Sequence, residues 1–154
     1  MPPLDGEGPS QGLEWYENIK VTWFSGSTSR SGVDCSGNAR CVALPSRTAV
    51  DQRKIVEVCY NDKCTIAQVL DLGPWCRADE DYVFGSSRPF AEIYEGDDLD
   101  VVDEAIGSPD CHSVPEHPRE TKISNGAGID LTPALMEAIG ASSGDRVKWR
   151  FVED

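Results

Sequence analysis

The sequence has little positive charge and no long apolar run. Its 154 residues contain 14 Lys and Arg against 27 Asp and Glu, a formal net charge of −13. A surface of that sign repels phosphates, so neither a nucleic acid nor an anionic lipid surface is expected as the main partner. No stretch approaches the roughly 20 apolar residues of a membrane helix, and residues 1–5 lack the features of a secretory signal. We expect one soluble domain without membrane insertion.

Metal-binding patterns are also scarce. None of the six cysteines belongs to the paired C-x-x-C motifs of a structural zinc site. The two histidines, His112 and His117, match no catalytic metal signature, although Asp110 and Glu116 stand beside them. The acidic run at 95–100 lacks the ordered ligand positions of a calcium loop. The sequence therefore predicts no metal and no other cofactor.

An even number of cysteines favours disulfide bonds. Cys59 and Cys64 flank a polar four-residue loop between two strand-like runs, so we expect them to face each other across a hairpin. The other cysteines are Cys35, Cys41, Cys76 and Cys111. The first two of these are close in sequence, which would leave the last two as a pair. Six cysteines permit many pairings, however, and the sequence does not choose among them.

Disulfide bonds favour an extracellular, periplasmic or virion-associated location, because cytosolic thiols are kept reduced. This expectation stands against the lack of a secretory signal at the first residues. Three explanations remain open: a signal trimmed from the chain, release by lysis within an assembly such as a phage particle, or free thiols.

The pattern of the chain changes near residue 19. Residues 1–18 begin with a proline- and glycine-rich stretch without apolar periodicity, which predicts an arm or tail. Residues 19–154 form the expected domain, which is mainly β. Strand patterns occur at 19–24, 41–44, 55–60, 65–70 and 147–152, with a weaker one at 90–94.

One helix is well signalled after residue 131. Thr132 is placed to cap it, Pro133 suits its first position, and Gly140 suits a left-handed end. Residues 97–118 are acidic, contain prolines and have no dependable period, so we expect an irregular excursion over the surface. The longer stretch of about 79–125 is predicted to be an insertion in the domain.

Two aspartates stand at the ends of strand-like runs. Asp71 follows the run at 65–70 and precedes a Gly-Pro turn, where a carboxylate is either a turn cap or a reactive group. Asp130 follows a similar run and precedes Thr132, so it is a candidate both for a structural role at the helix start and for chemistry.

The motifs around these aspartates resemble a known family. VLDLGP at 69–74, followed by GIDLT at 128–132 and a short helix, is similar to the double-psi β-barrel of rare lipoprotein A. Expansins, barwin-like proteins, membrane-bound lytic transglycosylase A and some cellulases share that barrel type. WFSG at 23–26 and ALPS at 43–46 resemble the family's opening stretch and its Leu-Pro turn. GSSRPFAE at 85–92 is similar to long variants associated with phages and prophages.

The resemblance implies a six-stranded barrel with one or two short helices, a long surface insertion and a groove for a polysaccharide, in this case peptidoglycan. In the lytic members, the aspartate at the position of Asp71 acts as general acid and then as base. A hydroxyl of the sugar itself closes on the anomeric carbon, so no water attacks. Asp130 would support this step. Hydrolysis would instead need a second carboxylate at a defined separation.

Two expected groups depart from the family's pattern. The position of the active-site histidine falls on Cys41, and the nearest counterpart of the loop glutamate is Asp34, a loose third catalytic candidate. These departures favour an alternative, a non-catalytic structural or glycan-binding subunit of a phage tail, virion or other extracellular assembly. In that case residues 1–18 are the candidate docking segment for other tail proteins.

Aromatic residues supply candidates for a sugar groove. Trp75, Tyr82 and Phe84 are the expected substrate-binding residues, because flat rings stack on pyranose faces. Core packing is the alternative for all three. For Trp23 and Trp149, on strand-like segments, burial in the core is the stronger expectation.

Overall fold

The chain forms a closed barrel of six β-strands. A computed structural model describes residues 14–111 and 123–152. The strands are β1 (Tyr16–Trp23), β2 (Cys41–Leu44), β3 (Ile55–Tyr60), β4 (Lys63–Leu72), β5 (Ala127–Leu131) and β6 (Arg146–Phe151). Around the barrel they follow the order β1-β5-β2-β4-β3-β6. The pairs β1/β5 and β2/β4 are parallel and the other four are antiparallel. This confirms a mainly β, six-stranded barrel, and it is compatible with a double-psi barrel.

Most strands lie where their residue patterns predict them. The bounds of β2 and β3 agree with prediction, and β4 and β6 differ from it by one or two residues. Strand β1 begins at Tyr16, inside the segment predicted to be an arm. Residues 1–13 lie outside the described part of the chain, so the arm itself stays a prediction.

The barrel core contains alternate residues of each strand together with two large aromatic side chains, Tyr82 and Trp149. Trp149 Nε1 donates to the Tyr82 hydroxyl at 2.8 Å, and that hydroxyl donates to the Gly128 carbonyl at 2.9 Å. Tyr16 stacks on Trp149 with 4.1 Å between ring centroids. Both polar atoms are therefore satisfied inside an apolar core.

The expectation of burial is confirmed for Trp149 and is wrong for Trp23. Trp149 is fully buried, whereas Trp23 is 57% exposed. Trp23 is the last residue of β1, so no further layer of barrel residues follows to cover its ring. Alternation along a strand predicts burial only while the strand stays within the barrel.

Five α-helices occur among the described residues, more than the one or two expected. They are α1 (Arg47–Asp51), α2 (Glu80–Val83), α3 (Phe90–Ile93), α4 (Leu99–Ile106) and α5 (Pro133–Ile139). Helix α5 is the predicted one, with Pro133 at its start and Gly140 left-handed at its end. The Thr132 hydroxyl does not cap it; it accepts a hydrogen bond from Cys41 N at 3.0 Å.

Two predictions about the insertion are wrong. Residues 90–93 are helical, not extended, and Phe90 N at the start of α3 donates to Asp79 Oδ2 at 2.6 Å. Within the stretch expected to be irregular, α4 has ordinary end signals. Asp98 accepts from Asp100 N at 2.8 Å, and Gly107 is left-handed. The many acidic residues of this stretch made a short amphipathic helix hard to recognise in the sequence.

The predicted hairpin disulfide Cys59–Cys64 is confirmed. Of the pairings that the sequence left open, the chain forms Cys35–Cys41 and Cys76–Cys111. The last pair joins the end of β4 to the insertion and packs with Leu99 and Val102 of α4 in a second small core. Three disulfides fit a non-reducing, extracellular type of environment. Across residues 14–111 and 123–152, none of the helices has the length and apolar character needed to cross a membrane.

The buried hydroxyl of Tyr82 provides a test of the core. Tyr82→Phe leaves Trp149 Nε1 and the Gly128 carbonyl without their partner, so we expect it to lower the free energy of unfolding by about 2–4 kcal/mol. Tyr60→Phe is the matched control, because Tyr60 packs against the same core and its hydroxyl has no hydrogen bond among the described residues. Chemical denaturation measures both, and equal losses would contradict the assignment.

Candidate functional site

Asp71 and Asp130 lie on two strands that flank the same neighbour. Ala43 of β2 is in register with Asp71 of β4 on one side and with Asp130 of β5 on the other. Thr22 of β1 is in register with Asp130. We call Thr22, Asp130, Ala43 and Asp71 the aspartate row. Strand spacing puts the two aspartate Cα atoms about 9–10 Å apart.

The row lies on the outer face of the barrel, because on β2 and β5 the residues on either side of it pack in the barrel core. Ile129 and Leu131, on either side of Asp130, are fully buried in the barrel core. On β4, a register shift lets Asp71 stand opposite Ala43. Leu70, just before it, packs in an outer cluster with the Cys35–Cys41 disulfide. Regular strand alternation thus explains why the Asp130 side chain points outward. For Asp71 the outward direction depends on the register shift in β4.

Asp130 is the more perturbed acid of the row. Its Oδ1 accepts a short hydrogen bond from the Thr22 hydroxyl. The pKa of Asp130 is raised to about 7, chiefly by burial; the Thr22 hydrogen bond lowers it, and the negative charge of Asp71 adds to the rise. A carboxyl group with that pKa still holds a proton near neutral pH, as a general acid requires.

Asp71 is half-buried and held by the backbone. Its Oδ1 accepts hydrogen bonds from Arg30 N and Leu72 N, both at 2.9 Å. Its Oδ2 has no hydrogen-bond partner among the described residues. The carboxylate therefore caps the local backbone, which is the alternative that the sequence offered to a reactive role. Its other oxygen remains available to a further partner.

Asp34 stands apart from the row. It is exposed, and its Oδ1 accepts from the hydroxyl and the backbone N of Ser36. These hydrogen bonds lower the pKa of Asp34. Within the described residues, no hydrogen bond connects it to Asp71 or Asp130. Cys41, at the position where the resemblance to rare lipoprotein A led us to look for a histidine, is buried and bonded to Cys35.

The three predicted groove aromatics are not brought together in a groove. Tyr82 is fully buried, and its hydroxyl donates to the Gly128 carbonyl within the core. Phe84 is exposed but stacks on Phe151 with centroids 5.1 Å apart. Trp75 is half-buried and donates to Asn125 Oδ1 at 2.8 Å. Trp23, which was expected inside, is the exposed aromatic next to Thr22 in the row.

A measurable depression lies elsewhere on the barrel. It has a volume of about 180 Å³ and is lined by residues 14–17, 19, 82 and 85–88, near the start of β1. Thr22 and Asp130 pair near the end of that strand. The depression therefore includes neither aspartate.

A second buried acid, Asp79, was missed by sequence reasoning. Asp79 is 1% exposed, and burial raises its pKa to about 6. Its Oδ2 accepts from Phe90 N, and its backbone N donates to the Pro45 carbonyl at 2.7 Å. Its Oδ1 accepts no hydrogen bond from the described residues. An aspartate just before a short helix was the available signal, but only the packed insertion reveals its burial.

Among the described residues, we find no group of three free side chains that could hold a metal ion. Glu57, Cys59 and Cys64 form the one cluster there with suitable spacing, and both cysteines are in a disulfide. His112, His117 and Glu116 lie outside the described part of the chain.

The coupling in the row predicts opposite effects of two substitutions. The Asp130 side-chain carboxyl should titrate with a midpoint near pH 7 in a carbon-13 NMR experiment. Asp71→Asn removes a negative charge and should lower that midpoint, whereas Thr22→Val removes a stabilising donor and should raise it. A midpoint near 4 in the unsubstituted protein would contradict the assignment.

The raised pKa of Asp130 also predicts a pH dependence of stability. An unfolded aspartate ionises near pH 4, and Asp130 in the folded chain ionises near 7. The folded protein should therefore lose stability relative to Asp130→Asn as pH rises from about 4 to 7, by up to about 4 kcal/mol. Denaturation at several pH values measures the difference. Asp34→Asn should give a change of opposite sign, and only below about pH 4, because the pKa of Asp34 is lowered.

Comparison with known proteins adds a family without an assigned activity. No curated protein matches the chain. Residues 19–150 match the family model described as "Domain of unknown function (DUF8814)". Because the match covers most of the chain and all but the first three residues and the last residue of the barrel strands, this protein belongs to that family of unknown function.

Proposed function

We propose that this protein cleaves glycosidic bonds in a polysaccharide of the peptidoglycan type, with the aspartate row as its catalytic centre. One observation carries the proposal. Two carboxyl groups share the outer face of the barrel across Ala43, and burial raises the pKa of one of them, Asp130, to about 7. A group that still holds its proton and a charged partner beside it are suited to acid–base cleavage of a glycosidic bond.

The resemblance to rare lipoprotein A assigns the acid and base roles to Asp71. The electrostatics of the row supports sharing them with Asp130. In this proposal Asp130 donates its proton to the leaving oxygen as the glycosidic bond breaks. A hydroxyl of the same sugar then bonds to the anomeric carbon and gives its proton to Asp71. The product is an anhydro sugar, as in a lytic transglycosylase.

The free oxygen of Asp71 supports this division. Asp71 Oδ1 is occupied by two backbone N–H groups, so Oδ2 is the atom that would receive the proton. The Thr22 hydroxyl holds one oxygen of Asp130 in the same way. Each carboxyl group thus has one oxygen fixed by the protein, which orients the other.

An extracellular, periplasmic or virion-associated location is proposed with this function. The three disulfides support it, since they would not persist in a reducing compartment. Peptidoglycan is accessible from each of these locations.

A second candidate function is a non-catalytic glycan-binding or structural subunit, for example in a phage tail. The disulfide at Cys41 supports it, because a disulfide-bonded cysteine stands where rare lipoprotein A has its active-site histidine. Asp34 supports it too, since its hydrogen bonds among the described residues are with Ser36 and not with the row. Tail proteins would then contact the barrel through residues 1–18.

Product analysis on purified sacculi tests the first candidate. The unsubstituted protein should release fragments with anhydro ends, at a rate that falls as pH rises through about 7, because Asp130 then loses its proton. Asp71→Asn and Asp130→Asn should each lower the rate by about 10²-fold or more, the usual contribution of acid–base groups. Asp62→Asn, in the exposed β3–β4 turn, is the charge-matched control and should keep the rate.

Three outcomes would change the conclusion. If the fragments have hydrolysed ends, the two aspartates keep their acid and base roles, but water attacks the anomeric carbon instead of the sugar's own hydroxyl. Binding to sacculi without release of fragments would favour the second candidate. Full activity of both aspartate variants would remove the aspartate row from the mechanism.

A further inference from the structure

A short segment of the loop after β1 crosses β4 beside Asp71. This segment, Ser29–Ser31, is called the strap. Ser31 N donates to the Leu70 carbonyl at 3.2 Å, and Arg30 N donates to Asp71 Oδ1 at 2.9 Å. The strap therefore brings a backbone N–H group directly to a carboxyl group of the aspartate row.

Two side chains at the end of α1 hold the strap in place. Arg30 forms a two-point ion pair with Asp51, with Nε to Oδ1 at 3.2 Å and Nη2 to Oδ2 at 3.1 Å. Arg53 Nη2 donates to the Ser31 carbonyl at 3.1 Å. Both anchors come from residues that follow β2, the strand between the two aspartates.

Within the strap, Ser29 is nearly buried and its hydroxyl donates to the Val33 carbonyl at 2.7 Å. This contact shapes the turn without reaching α1. The position of the strap relative to β4 is thus set by the Leu70 contact and by the two α1 anchors.

The ion pair is exposed, so its importance rests on geometry. The side chains of Arg30 and Asp51 are 37% and 57% exposed, and single exposed pairs contribute little to stability. A two-point contact between a guanidinium and a carboxylate fixes orientation as well as distance. The hydrogen bond from Arg30 lowers the pKa of Asp51, which agrees with a formed contact.

We propose that Asp51 and the side chain of Arg30 are positioning residues for Asp71: they hold the strap so that the Arg30 N–H group orients the Asp71 carboxylate in the aspartate row. The proposal rests on the proposed function for its catalytic consequence. The charged groups around Asp71 in this arrangement are Asp130 across Ala43 and the two arginines of the strap contacts, Arg30 and Arg53.

Substitutions at the ion pair separate positioning from folding. Asp51→Asn and Arg30→Gln remove the two-point contact on the surface and leave the barrel core and both row aspartates untouched. Arg40→Gln is the matched control, because Arg40 is an exposed arginine of the same loop without a hydrogen bond or ion pair among the described residues. Asp51→Glu keeps the charge and serves as the conservative variant.

Two readouts are measured on the full chain. In steady-state assays on solubilised glycan strands, Asp51→Asn and Arg30→Gln should lower kcat about tenfold with KM changed less than about twofold, since one charge-assisted hydrogen bond is misaligned. Asp51→Glu should recover part of kcat, and Arg40→Gln should match the unsubstituted protein. In ¹H–¹⁵N NMR spectra, the Arg30 amide proton should move upfield in Asp51→Asn, towards its position in Asp71→Asn.

The two measurements distinguish failure of the positioning proposal from failure of the proposed function. An Arg30 amide signal that is the same in Asp51→Asn as in the unsubstituted protein overturns the proposal, as does a raised KM with unchanged kcat. If the unsubstituted protein cleaves no glycan, the proposed function fails. The NMR comparison then decides alone whether the anchors orient Asp71, an upfield shift in Asp51→Asn supporting it and an unchanged signal overturning it.

Discussion

The pairing of β2 between β4 and β5 is the constraint on which the site depends. Ala43 is in register with Asp71 on one side and Asp130 on the other, which brings together two residues that are distant in the chain. Side chains alternate along a strand, so a one-residue slip of β2 would put Ala43 in the core and Val42 in the row. The burial of Val42 and Leu44 in the barrel opposes that slip. The same packing that closes the barrel therefore fixes the spacing of the carboxyl groups.

The electrostatics of the row follows from its place in the barrel. Asp130 stands between two fully buried core residues and is itself largely enclosed, so its charged form is poorly solvated. Asp71 lies nearer the strap and the Gly73 turn, and its Oδ1 is satisfied by the backbone. Two acids in one row thus have different surroundings, which is the condition for dividing donor and acceptor roles between them.

The sequence predicted correctly those elements that depend on residues close to one another in the chain. Strands β2 and β3, helix α5 and the hairpin disulfide all have short-range signals, and they occur where expected. Helices α3 and α4 were missed because they are short and acidic, and they are stabilised by packing within the insertion. Asp71 and Asp130 could be nominated from their motifs. Their shared register with Ala43, the burial of Tyr82 and the exposure of Trp23 depend on barrel closure, which no local pattern encodes.

The turn after β2 links the remaining elements to the row. The Leu44 carbonyl accepts from Gly73 N at 3.3 Å, which ties this turn to the end of β4 just beyond Asp71. The Pro45 carbonyl accepts from the backbone of Asp79, and the Ser46 hydroxyl donates to Glu80 Oε1 at 2.8 Å, so the insertion is attached at the same point.

Helix α1 continues directly from this turn. Its last residue, Asp51, holds the strap over Asp71. The insertion, the strap and the aspartate row therefore share one support. A disturbance of the β2–α1 connection would therefore reach all three.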